Sequence, residues 1–277
     1  MGNRNVQRGG ISLFIAVIMA IFALVRYYGS SQVNQVTGQK QHVAGVTAQQ
    51  EIALGLQAAP SMEQQYGGDI DPNSKHGQIV QRVGKKLVAG SDASKTPYQF
   101  QFHLLADDKT INAFALPGGQ VFMTDGLLHH LTTEGEVAGV LGHEIGHVVA
   151  RHGAQQIAKQ QLTQGLSGAA VLATYDPNNP ASQRDSAVIA AVGQLVTLKY
   201  GRNDELQADS LGVRFMSQAG YDPRSMIKVM EVLKSVSGSG RTPEFFSTHP
   251  NPENRIPKIE AAIKEQYPGG VPGGLTP

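Results

Sequence analysis

The run His143-Glu144-Ile145-Gly146-His147 constrains this chain more than any other feature, because it dictates a conformation and a chemistry together. On an α-helix, positions i and i+4 share a face, so His143 and His147 aim their imidazoles at one point. Glu144 follows about 100° further round, beside that point rather than on it. Two neutral imidazoles with a carboxylate alongside suit a zinc hydrolase. The imidazoles hold the ion with one position left open, and the carboxylate takes a proton from water. With 9 histidines in 277 residues, composition supplies this pattern by chance only on the order of 0.01 times.

The surrounding residues read as a helix. Thr133 and Glu136 form a capping box, and Val137, Val140, Leu141, Ile145, Val148 and Val149 supply the apolar positions. Gly153 is the expected stop, after Arg151 and His152. Gly139, Gly142 and Gly146 each cost about 1 kcal/mol relative to Ala inside a helix. Spaced three and four apart, they make a flat strip against which another backbone fits, so the helix is expected to be buried.

Such a site needs a third protein ligand. Glu205-Leu206-Gln207-Ala208-Asp209 begins 58 residues after His147 (205 − 147), and Glu205 and Asp209 again share a helix face. Glu205 then ligates, while Asp209 accepts a hydrogen bond from the far nitrogen of a ligand histidine and fixes its tautomer. The plain alternative is a solvated acidic face. Asp204 competes for the ligand role but lies five residues from Asp209, off that face.

Two further segments attract attention. Ile111 to Leu116 and Gln120 to Met123 are short apolar runs either side of Pro117-Gly118-Gly119, which predicts a hairpin. A strand edge there would hold an extended peptide by main-chain hydrogen bonds. His249 lies just before a helix start, where Asn251 caps, Pro252 suits the first turn and Ile256, Ile259 and Ile263 face the core. It serves either as a donor to a tetrahedral oxyanion or as an ordinary cap. Arg202 and Arg255 either orient carboxylates, bind substrate carbonyls or make interhelix ion pairs. The histidines at 42, 76, 103, 129, 130 and 152 have no spacing that asks for metal.

Four segments in this order resemble the HtpX / CAAX prenyl protease family of zinc metallopeptidases. They are Asn112-Ala113-Phe114-Ala115-Leu116-Pro117-Gly118-Gly119, the His143 to His147 motif, Glu205 to Asp209, and Ser247-Thr248-His249-Pro250 followed by Arg255. The resemblance implies a gluzincin-type fold, one Zn2+ per chain on His143, His147 and Glu205, and Glu144 as general base. It also points to His249 as an active-site residue, in a segment that approaches or occludes the metal in some relatives. Asn112, Ala113, Phe114 and Arg255 become candidates for substrate binding. Multi-spanning members carry several membrane helices, whereas here only the first thirty residues could span, which favours the single-anchor or periplasmic branch acting on misfolded envelope proteins.

Composition narrows the rest. A net charge of +1 with interspersed charges offers no nucleic-acid surface. The absence of cysteine excludes disulfides, a thiol nucleophile and Cys-ligated zinc. Ile11 to Val25 is apolar but for Ser12, with Arg4 and Arg8 before it and Arg26, Tyr27 and Tyr28 after. It reads as an uncleaved signal anchor over 1–29, or else a signal peptide, with the catalytic part in the periplasm in either case. Residues 30–45 read as a linker, 46–267 as the metallopeptidase domain and 268–277 as a disordered Gly/Pro-rich tail.

Helices are expected over Thr47 to Ala59, from Asp71-Pro72 onward, over Gln155 to Ala173, Ala187 to Tyr200 and Asn203 to Ala219, and from Asp222-Pro223 to about Val236. Tyr98 to Leu105 alternates as a strand, and Tyr175 to Arg184 reads as a polar flap. The expected class is α+β, predominantly helical, with a small β-sheet beside the zinc-binding helix. The expected partner is an unfolded or misfolded polypeptide. A chaperone or assembly factor with a closed zinc site is the alternative.

Overall fold

The computed structural model describes residues 3–172, 200–237, 243–250 and 255–277, and the side chains of all these except 3–13 and 167–172. The expected flap at 175–184, the helix from Ala187 up to Tyr200 and the Asn251-Pro252 helix start lie outside the described residues.

The centre of the fold is helix α5 (Glu134–Val149), whose residues from Gly135 onward are all buried. It starts where its capping box predicts, with the Thr133 hydroxyl accepting from Glu136 N and the Glu136 carboxylate accepting from Thr133 N. Around it pack α3 (Lys75–Ala89), α7 (Arg202–Gln218) and α8 (Ser225–Ser237), and α10 (Arg255–Gln266) packs in turn on α7 and α8. Leu141, Ile145, Val213, Phe215, Leu233 and Ile259 fill the shared core.

Two of the α5 glycines, Gly142 and Gly146, explain how close α5 and α7 come. A Cβ at Gly142 would meet Gly212 Cα of α7 at 3.4 Å, and one at Gly146 would meet Ala208 O at 2.9 Å. Their cost in helix propensity therefore secures the short α5–α7 separation that brings Glu205 and Asp209 to the histidines. Gly146→Leu is expected to lower stability by about 1–3 kcal/mol through overpacking. A shift in the urea midpoint of unfolding measures this, and an unchanged midpoint would show that α7 yields freely.

A three-stranded sheet covers the other side of α5. β3 (Gln101–Leu105) runs parallel to β5 (Gln120–Thr124), and β4 (Ala113–Leu116) runs antiparallel to β5, in the order β3-β5-β4. Phe102 pairs with Val121, and Phe114 with Phe122. The predicted turn is present: Gly118 has φ +86°, and a Cβ there would lie 2.4 Å from Ile52 Cα of α2 (Ala48–Gln65). A short helix, α4 (Asp125–Leu128), follows β5.

Three expectations about the segments between and beside these elements need correction. Helix α5 ends at Val149 rather than at Gly153, because Arg151 takes a left-handed conformation (φ +56°) and α6 (His152–Leu172) begins immediately. The stretch 30–45 holds a hairpin, β1 (Ser31–Val33) with β2 (Lys40–His42), that docks on the end of α5. There Asn34 Nδ2 donates to Val149 O (2.7 Å) and Gln41 Nε2 to Ala150 O (2.6 Å), satisfying carbonyls the helix leaves free. The tail is held by backbone contacts: Asp222 N donates to Thr276 O, Thr276 N to Gly220 O, and Gly135 N to Pro277 O.

Helix α1 (Asn3–Gly29) lies along α6, with Ala23 against Gly165. Its outer face leaves Phe14, Phe22 and Val25 more than 60 % exposed. No helix among the described residues is long and apolar enough to cross a membrane. Ile11 to Leu13 of the expected anchor fall outside the described side chains.

Candidate metal centre

His143, His147, Glu205 and His249 each contribute a donor atom to one buried group, and all four atoms lie within 4.8 Å of one another. The Nε2 atoms of His143 and His147 are 3.1 Å apart. His249 Nδ1 lies 3.3 Å from His143 Nε2 and 3.1 Å from Glu205 Oε1. Glu205 oxygens stand 3.4 Å from His147 Nε2 and 3.6 Å from His143 Nε2. Donors bonded at 2.0–2.1 Å to a common tetrahedral centre sit roughly 3.3–3.4 Å apart, so these residues fit a small cation such as zinc.

Tautomers support the same fit. Asp209 Oδ1 lies 2.8 Å from His143 Nδ1, and a carboxylate there accepts the Nδ1 proton. His143 Nε2 is then a bare lone pair aimed at the Glu205 carboxylate and at a second imidazole. Without a cation between them, that arrangement repels.

Arg255 holds the carboxylates in place. It is 1 % exposed and grips Asp209 through Nε (2.8 Å) and Nη2 (2.6 Å), with Nη1 at 3.1 Å from Glu205 Oε2. Burial acts to raise both carboxyls, but Arg255 and His143 hold Asp209 below its ordinary value, and His249, His147 and His143 hold Glu205 well below. Burial pushes the Glu144 carboxyl up, partly opposed by His249 and His143. Burial holds the His147 imidazole well below the usual value, although Glu205 opposes it. For His249, burial acts downward but Glu144 and Glu205 outweigh it and lift the imidazole above that value.

Glu144 is wholly buried, and neither of its oxygens has a hydrogen-bond partner among the described residues; His249 Nε2 is 3.5 Å from Oε1. Tyr200 stacks on His147 at 4.0 Å and Phe245 on His249 at 4.4 Å, walling the site. His249 follows a single turn, α9 (Phe245–Thr248). A cleft of about 10 Å³ adjoins His147 between Ala115, Leu116, Pro117 and Tyr200, too small for a peptide.

Not every candidate residue reaches the group. Asn112 is buried and donates to Tyr66 Oη (3.3 Å) and Glu244 Oε1 (3.2 Å), beneath the start of the His249 segment. The Ala113 and Phe114 side chains are buried in the sheet and do not reach the group. Arg202 is exposed, and Asp204 caps α7 by accepting from Gly201 N.

The remaining histidines are more organised than their spacing suggested. His76, Asp125 and His129 form one surface cluster and Glu63, Asp69 and His103 another. His129 Nδ1 is already committed to Asp125 O at 2.8 Å. His152 is buried 2.8 Å from His147 Nδ1, a contact that five-residue spacing on one helix does not predict.

The family profile described as Peptidase family M48 matches residues 74–263. The beta-barrel assembly-enhancing protease of Yersinia pestis is 31% identical over 229 residues, which cover 81% of this chain and 46% of that protein. The protein of that name from Escherichia coli (strain K12) is 33% identical over 202 residues, covering 69% and 39% respectively. Mitochondrial metalloendopeptidase OMA1 of Schizosaccharomyces pombe is 34% identical over 217 residues, covering 78% and 61%. The alignments thus span between about two fifths and three fifths of these curated relatives.

Proposed function

The chain belongs to peptidase family M48, and on that premise we propose that it is a zinc-dependent endopeptidase acting on misfolded or unassembled cell-envelope polypeptides. The observation that carries this reading is the pair of wholly buried Glu144 oxygens, without a hydrogen-bond partner among the described residues, beside the four converging donors. A purely structural site has no use for such a carboxylate.

Zinc on His143, His147 and Glu205 would supply Lewis acidity toward a carbonyl and lower the pKa of water to about 7. Glu144 would take a proton from the attacking water on its carboxylate and deliver it to the leaving amine. Burial raises its carboxyl toward the range in which both transfers are fast. β4 is the outer strand of its sheet, so its main chain is suited to align an extended peptide with little regard for side chains. Arg255 and Asp209 keep Glu205 and His143 oriented.

The envelope substrate class rests on the relatives named for beta-barrel assembly. The exposed apolar face of α1 accords with attachment to the inner membrane and a periplasmic catalytic part.

We read this arrangement as a latent one. His249 Nδ1 occupies a fourth donor position, and a site with four protein donors has no open place for substrate. Withdrawal of the 243–250 segment would open it. An assembly factor with a permanently closed site is the reading this geometry would otherwise favour.

The test is cleavage of unfolded casein by the wild type and His249→Ala, with chelation and zinc restoration. Relief of a closed site predicts at least a tenfold gain in His249→Ala, abolished by chelation. A 10²–10³-fold loss would instead make His249 an oxyanion donor. No cleavage by either protein with zinc bound would leave the assembly-factor reading.

A further inference from the structure

The two histidines of the metal group are supported differently. His143 gives its Nδ1 proton to Asp209, itself gripped by Arg255. Among the described residues, His147 has no carboxylate on its Nδ1. Its Nδ1 lies 2.8 Å from Nδ1 of His152, whose Nε2 lies 2.9 Å from Gln207 Oε1. Only one assignment of protons satisfies this chain. With His147 Nε2 bare toward the metal group, its Nδ1–H donates to a bare His152 Nδ1, and His152 Nε2–H donates to the Gln207 carbonyl.

We propose that His152, acting with Gln207, is a positioning residue that locks the tautomer and ring orientation of His147. The inference rests on the metal reading above, and concerns how one ligand is held rather than which reaction follows.

Local backbone geometry makes the contact possible. On a continuous helix, a residue five positions on would be turned about 140° from His147. The left-handed Arg151 breaks the helix between α5 and α6 and folds His152 back onto the ring. A non-Gly residue in that conformation costs on the order of 1 kcal/mol and needs outside support. Glu51 provides it: Arg151 Nη2 and Nε reach its Oε2 at 2.8 and 2.9 Å, and Tyr98 Oη donates to the same oxygen at 2.7 Å. Arg151 Nη2 also donates to Val46 O (2.6 Å). Glu51 and His152 are each 1 % exposed. A buried ion pair therefore holds the turn that delivers the imidazole. This support uses residues other than Asp209 and Arg255, so the two ligand histidines are held by different side chains.

The experiment measures zinc affinity by competition with a chromophoric chelator, on the full chain, for the wild type, His152→Phe and His152→Asn. His152→Phe keeps a planar ring but offers no acceptor, and is expected to weaken zinc binding by 10–100-fold. His152→Asn offers an acceptor oxygen and should recover part of that loss. A residue with a packing role alone would lower thermal stability without changing affinity in the folded protein. Equal affinity in wild type and His152→Phe would overturn the proposal.

Should the Phe variant fail to fold, nitrogen-15 NMR of histidine-labelled, zinc-loaded wild type decides instead. It should find His147 protonated at Nδ1 and His152 at Nε2, and any other assignment overturns the proposal. A wild type that binds no zinc would defeat the metal reading itself, an outcome distinct from both.

Discussion

Replacing Glu144 by Gln should leave one zinc per chain and an unchanged fold while lowering kcat/KM for casein by 10²–10⁴-fold. That is the usual contribution of a general acid–base, about 3–5 kcal/mol in the barrier. The substitution is nearly isosteric, and Glu144 makes no hydrogen bond among the described residues that folding would miss. It also removes a buried carboxylate whose ion-pair contact among the described residues is His249 at 3.5 Å. Stability should therefore hold steady or rise slightly as activity disappears. The measurement belongs in whichever of the wild-type and His249→Ala backgrounds cleaves faster. Retention of more than a tenth of the activity would remove Glu144 from the role of base.

The second large effect should come from Arg255→Leu. Leucine fits the volume and leaves the Asp209 and Glu205 carboxylates buried without their cation. Breaking a buried pair from one side costs about 3–5 kcal/mol, and on this size of chain that corresponds to a fall in Tm on the order of 10 °C. Zinc affinity should fall with it, because Asp209 no longer holds His143 and Glu205 loses its brace. The double substitution Arg255→Leu with Asp209→Leu should recover stability, since it removes a charge from each side, but not metal affinity. Calorimetry alongside zinc competition separates the two effects. A single variant that melts like the wild type would mean that water reaches this group.

The reach of sequence reasoning follows from the physics each residue obeys. Helical periodicity and capping located α5 and α7 and placed His143, His147, Glu205 and Asp209 on facing surfaces, because i and i+4 is a local rule. The glycine strip revealed a close helix contact for the same reason. His152 was invisible because its position depends on one left-handed residue, and a non-glycine in that region leaves no signature. Asn112 looked free for substrate because its partners, Tyr66 and Glu244, lie 46 and 132 residues away. The 30–45 hairpin and the tail adhere mainly through backbone atoms and amide side chains, which composition does not distinguish from solvated linker. The two surface clusters around His76 and His103 likewise come from several elements, as no spacing rule could foresee.

The separations within the metal group also bear on when this protein becomes dangerous to its neighbours. His143 meets Asp209 across 66 residues and His249 across 106, while Arg255 reaches back across 112 to its Nδ1. A chain emerging in order exposes its two histidines long before the residues that complete and brace the site. At roughly 5–20 residues per second, that interval lasts several seconds or more. Until Glu205 has followed, the nascent chain lacks the third of the proposed zinc ligands. On the reading proposed above, His249 follows 44 residues after Glu205 and supplies the donor that closes the site, so hydrolytic power would be restrained soon after the three ligands are in place.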